Sequence, residues 1–133
     1  MNAMFVPSSS MQRDTLEWGV LGWMSRPSST GAQALTILEV TFNAGQGHNF
    51  HKHPDQEEAI IAIEGEVEQW LEGEKRTLRP GDSAFIGKGV VHASFNVSTS
   101  PAKVLAILGP CVGGDDGYVA VDMSGEAPYR TLR

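Results

Sequence analysis

Short apolar runs set off by turn-forming residues, with no sustained helical repeat, limit what this chain can fold into. Aliphatic and β-branched stretches cover residues 35–42, 48–53, 58–63, 67–71, 83–86, 91–96 and 104–108. Residues 16–24, with Trp18 and Trp23, read as an earlier strand. Gly, Pro, Asn and Asp punctuate the gaps at 25–31, 43–47, 54–55, 64–65, 79–82 and 87–89, where they favour turns. No window keeps an apolar period of 3.6 over three turns. Residues 57–63 alone are ambiguous, because Glu57-Glu58-Ala59 could open a helix. The Ile60-Ile61-Ala62-Ile63 core and the shortness of the run favour a strand buried on both faces. Many short strands with turns between them predict an all-β sandwich or closed barrel.

At 133 residues the chain is long enough for one domain with a real core. Its net charge of −6 argues against a nucleic-acid partner, which needs a basic face. No apolar run reaches the length of a membrane span, and residues 1–10 lack the pattern of a secretory leader. A single cysteine, Cys111, cannot form an internal disulfide. A cytoplasmic location is therefore the expectation.

Three of the four histidines fall into one constellation. His51-Lys52-His53 is followed by Glu58 and, much later, by His92. Residues i and i+2 on a strand share a face, so the rings of His51 and His53 can converge on one point. Three imidazoles and a carboxylate suit a divalent transition metal. Glu57 and Glu58 point to opposite faces of a strand, so only one of them reaches that point. His48, three residues before His51, points away if the strand is regular, and a bulge near Gly47 is what would turn it inward. It is expected at the mouth or on the surface. Cys111 has no histidine near it in sequence and reads as structural. The acidic stretch Glu64, Glu66, Glu68, Glu72 and Glu74 reads as a solvated edge that resists strand-to-strand aggregation.

Together these residues resemble the two motifs of the cupin superfamily. Gly45, His51, His53, Glu58 and Gly65 match the first, and Gly81, Gly89, His92 and Asn96 match the second. Gly87 stands where the family usually has proline, which is expected to loosen the approach to His92. The resemblance implies a double-stranded β-helix, or jelly-roll, cupin barrel over 16–112, with motifs at 45–65 and 81–96. Residues 1–15 are then a flexible lead-in, and 113–133 a C-terminal tail packing on the barrel or a partner. It also implies one divalent metal per chain (Fe, Mn, Ni, Cu or Zn) on His51, His53, Glu58 and His92. The six-residue interval to Gly65 selects Glu58 over Glu57, and Glu58 is the candidate for proton transfer.

The resemblance further implies small-molecule, dioxygenase-type oxidoreductase chemistry inside the barrel. The alternatives are an oxygen-independent isomerase or lyase acting on a sugar acid, and a non-catalytic module that binds a small ligand. A homodimer is expected, with residues 16–24 as the segment that crosses to the partner.

Overall fold

Alternating burial fixes which way each strand faces. In the computed structural model, which describes residues 2–133, Thr36, Leu38, Val40 and Phe42 are buried while the residues between them are half-exposed. The same period runs through Ala102, Val104, Ala106 and Leu108. Period-two burial means that one face of each strand meets a core.

The chain begins with the hairpin β1 (Gln12–Leu16) and β2 (Gly19–Ser25), then one helical turn, α1 (Pro27–Thr30). β3 (Thr36–Phe42), β4 (Gly47–Lys52) and β5 (Glu57–Glu64) follow. The hairpin β6 (Val67–Leu71) and β7 (Glu74–Leu78) leads into β8 (Ser83–Ile86) and β9 (His92–Phe95). β10 (Ala102–Gly109) and the short β11 (Val121–Asp122) complete the sheets. One sheet has the order β1-β2-β3-β10-β5-β8 and the other β11-β4-β9-β6-β7, with every described pairing antiparallel. From β3 to β10 the chain passes repeatedly between the two sheets, which is the winding of a double-stranded β-helix. Among the described residues no helix is long and apolar enough to cross a membrane.

The main core lies between the sheets and includes Leu38, Phe42, Ile60, Val67, Val104 and Leu108. Each such side chain contributes about 1.5–3 kcal/mol through burial. A second cluster of Phe50, Trp70, Val91, Ala93 and Phe95 packs with Met123, Tyr129 and Leu132 of the C-terminal segment. Those on β4 and β9, Phe50, Ala93 and Phe95, alternate with His51, His92 and Ser94, of which His51 and Ser94 line the cavity. The C-terminal segment therefore covers the outer face of the five-stranded sheet.

Four local features differ from the sequence reading. Gln12–Leu16, placed in the lead-in, forms β1 and pairs with β2 from Gln12↔Trp23 to Leu16↔Gly19. It is exposed along its whole length, so no apolar pattern marks it. β7 went unrecognised for the same reason: its first four residues are polar and exposed, and only Leu78 is buried. β5 is buried on one face, not two. Glu58, Ile60 and Ala62 point inward, while Ala59 and Ile61 are half-exposed and Ile63 exposed, because none of the described residues covers that side of the six-stranded sheet. Finally, the turn at Gly87 is tied despite the missing proline. The Gly89 N–H donates to the His53 carbonyl at 2.9 Å and the Val90 N–H to the Gly87 carbonyl at 3.2 Å.

Candidate metal centre

The antiparallel ladder brings the histidines together. His51, near the end of β4, is the direct partner of His92, the first residue of β9. His53 follows β4, and its ring centroid lies 5.1 Å from that of His51 and 5.2 Å from that of His92. One ligand atom from each of the three rings lies within 4.8 Å of the others. Glu58 enters from β5 in the opposite sheet and is buried, whereas Glu57 is exposed.

Backbone carbonyls set the tautomer of each ring. Nδ1–H of His51 donates to the Asn49 carbonyl (2.7 Å), that of His53 to Val119 (2.7 Å) and that of His92 to Val90 (3.0 Å). A carbonyl can only accept, so each Nδ1 carries a proton, and the neutral form of each ring presents the Nε2 lone pair that a metal would take. His53 Nε2, His92 Nε2 and Glu58 Oε1 are buried without a hydrogen-bond partner. Glu58 Oε1 lies 2.9 Å from His92 Nε2 and 3.4 Å from His53 Nε2, distances short enough for hydrogen bonds but lacking their direction. With the rings neutral, two imidazole lone pairs face a carboxylate oxygen, an arrangement that a bound cation relieves. A single proton relieves one such contact, whereas a metal ion relieves all of them at once.

Electrostatics leave the donors ready for a metal. Burial pushes His51 well below its usual value, and charge on His48 pushes it the same way. Burial also pushes Glu58 up, but a proton on Nε2 of His53 or His92, hydrogen-bonded to the carboxylate, outweighs that and brings it to about 2; a metal ion in the same place acts in the same direction. At neutral pH Glu58 is therefore an anion and the His51 ring is neutral. Metal ligation requires those forms.

His48 does not face outward. The β4–β9 register shifts between His48 and His51, and this irregularity turns the His48 ring inward. It stacks on His51 at 3.6 Å between centroids and on Trp18 at 4.9 Å. Gly47 allows the close approach, since a Cβ there would collide with the Ser94 carbonyl and with Phe95. Burial, then repulsion from His92, pushes His48 down to about 4. Cys111 is not part of the histidine cluster, and its Sγ lies 3.3 Å from Thr36 Oγ1, which can accept from the thiol. Of the tryptophans, Trp18 lines the cavity, Trp23 lies in the core and Trp70 in the outer cluster.

Sequence reasoning missed a strap, residues 110–119, that is tied down beside the histidines. Gln56, fully buried, donates from Nε2 to the carbonyls of Pro110 (2.9 Å) and Gly117 (3.0 Å). Its Oε1 accepts from the Val119 N–H at 3.3 Å. Thr36 Oγ1 also donates to the Gly117 carbonyl, at 2.6 Å. Gly117 has φ +67 and presses against Thr36 and Pro27, so no side chain fits there. The strap supplies the carbonyl that orients His53 and places Tyr118 on the cavity wall. An aromatic residue inside a glycine-rich run was the one available signal.

The cavity above the histidines has about 30 Å³ of free volume. Its walls are mainly apolar, with Leu21, Leu38, Val40, Phe42 and Ile60 among them, and its polar groups are His48, His51, Glu58, Ser94 and Tyr118. Neither lysine nor arginine contributes to its lining.

The sequence profile of the cupin domain matches residues 38–108, more than half of the chain. The chain belongs to the cupin family. Fold and three-histidine cluster together mark a metal-binding cupin. Over 67 residues, half of its length, this cupin is 43% identical to an uncharacterized protein of Aquifex aeolicus (strain VF5) and covers 54% of that protein. Over 84 residues, 63% of its length, it is 27% identical to the tetracenomycin polyketide synthase protein TcmJ of Streptomyces glaucescens and covers 56% of it. The chain thus spans about half the length of these curated relatives. Among solved structures, KdgF from Halomonas sp. superimposes with a TM-score of 0.71 at 21% identity, over 80% of this chain and 94% of that one. At that identity the likeness concerns the fold.

Proposed function

We propose that this cupin is a mononuclear metal-dependent enzyme with dioxygenase-type chemistry on a small enolisable carbonyl compound. The observation that carries the reading is the set of converging ligand atoms: Nε2 of His53 and His92 and Oε1 of Glu58, buried and without partners, beside His51. His51, His53, His92 and Glu58 would hold one divalent ion, and three nitrogens with one oxygen suit Fe, Mn, Ni, Cu or Zn. Bound there with coordination positions left open, such an ion supplies Lewis-acid charge and, if redox-active, reactivity toward dioxygen.

The protein's own groups do the rest. The three Nδ1–H···O=C bonds hold the rings in one tautomer and orientation. Glu58, anionic at neutral pH, can accept the proton of an enolic hydroxyl that comes within hydrogen-bond reach. The apolar walls exclude water and strengthen each polar contact. They also favour this reading over an isomerase or lyase for a sugar acid. A cavity without lysine or arginine offers such a substrate's carboxylate no cationic side chain. The match to a polyketide synthase protein points the same way, since polyketide chemistry runs on enolisable carbonyls.

A homodimer is part of the proposal. Ile63 and Phe85 are exposed on the outer side of the six-stranded sheet, beside the half-exposed Ile61, Leu105 and Ile107. A two-fold partner is the simplest cover for such a face.

The test is metal-dependent oxygen uptake by the loaded protein with small β-diketone substrates. Uptake that disappears on chelation supports the dioxygenase. Anaerobic turnover of a keto-uronate without oxygen uptake overturns it in favour of the isomerase. Tight ligand binding with no turnover leaves a binding module.

A further inference from the structure

Tyr118 is pinned from both sides. The carbonyl of Gly117 before it is held by Thr36 and Gln56, and the N–H of Val119 after it by Gln56. Thr36 and Gln56 are themselves fully buried, so these anchors are rigid. The Val119 carbonyl in turn receives the proton of His53 Nδ1. One short segment thus sets both the orientation of a metal-site histidine and the position of the phenol beside it.

Packing accounts for the ring of Tyr118 but not for its hydroxyl. The ring lies 5.0 Å from His53 and edge-on to Trp23 at 5.9 Å. Phenylalanine would fill that space equally well. Among the described residues no group takes the hydroxyl proton, and burial together with the nearby Glu58 carboxylate raises the phenol so that it stays protonated. A phenol set into a largely apolar wall normally finds a partner. Ser94, the other hydroxyl of the wall, already gives its proton to Gln69 Oε1 at 2.6 Å. That leaves Tyr118 as the hydroxyl donor free to meet a ligand.

We infer that Tyr118 is a ligand-contacting residue, donating its phenolic proton to an oxygen acceptor (a carboxylate, enolate or carbonyl) of the molecule bound beside His51, His53 and His92. The inference rests on the metal site proposed above and narrows its ligands to those with an acceptor oxygen on the strap side. Apolar or purely donor ligands leave the phenol unmatched, so the same residue discriminates against them.

Tyr118→Phe tests it, because the variant keeps the ring and its packing and removes only the hydroxyl. Wild type and variant are loaded with cobalt(II), and stoichiometry is measured by elemental analysis. Formate, a minimal carboxylate, is then titrated while the visible cobalt absorption is followed. The expected result is equal cobalt content and a formate Kd about tenfold weaker in the variant, the loss typical of one hydrogen bond to a charged acceptor. Equal formate affinities overturn the role of Tyr118 while leaving the metal site intact. Failure of the wild type itself to bind cobalt overturns the metal site and this inference together, and stoichiometry alone reveals it.

Discussion

Along β4 and β9 the histidines are positioned by the sheet ladder, whereas Tyr118 and the carbonyl that orients His53 are positioned by side chains 61 to 81 residues away in sequence. The first arrangement is local and repetitive: His51 and His92 face each other because their strands pair. The second depends on a few buried polar residues that tie an otherwise irregular segment to the barrel. A ladder tolerates the loss of any one side chain, because its backbone bonds remain. A strap held by one glutamine and one threonine does not. Removing a motif residue from the ladder should therefore damage either metal binding or folding, and removing a strap anchor should damage the site through orientation.

The largest effect is expected at Asn96, the last residue of the second motif. Its buried Nδ2 donates to the carbonyls of Phe42, Asn43 and Ser100. Asn96→Ala leaves these groups without that donor and should lower stability by about 3 kcal/mol. Metal content per folded chain should stay unchanged, as read by denaturant unfolding beside elemental analysis. Reduced metal content at full folding would mean that Asn96 belongs to the site rather than to the scaffold.

Next comes Gln56→Leu, which is expected to weaken metal affinity roughly 10–100-fold by releasing the strap and with it the partner of His53 Nδ1. Gln56→Glu keeps the Oε1 acceptor for the Val119 N–H but sets a carboxylate oxygen against the Pro110 and Gly117 carbonyls, so it should not recover that loss. Unchanged affinity in Gln56→Leu would show that His53 is oriented without the strap.

The smallest effect concerns pH in the metal-free protein. Burial holds His48 at about 4 and His51 well below its ordinary value in the folded state. In the unfolded chain both titrate near ~6.5. Below that value the unfolded state binds more protons, so stability should decline as pH falls from about 6.5 toward 4. Above it the contribution is complete, and thermal midpoints should be flat on this account. A metal-free protein with the same melting temperature at pH 7 and pH 5 would show that these rings are not held neutral in the fold.

The contrast also explains what could be read from the chain beforehand. His51, His53, His92 and Glu58 were legible because strand alternation and turn spacing are local rules that survive in one dimension. Alternation allows only one of Glu57 and Glu58 to point inward, the cupin interval to Gly65 selects Glu58, and Glu58 is the buried one. His48 was misjudged because regular alternation fails where the β4–β9 register shifts. Gln56 and Tyr118 were invisible for a different reason. Their roles arise from contacts across more than 60 residues, in a segment without period. β1 and β7 escaped because exposed edge strands need no apolar pattern.

The most direct test of the site is elemental analysis of protein purified without added metal and without a nickel column, in wild type and in His51→Ala and His92→Ala. About one transition-metal ion per wild-type chain, lost from both variants while far-UV circular dichroism still reports the barrel, is the expected result. Metal-free wild type that takes up no divalent ion, or variants that keep the wild-type content, would contradict it.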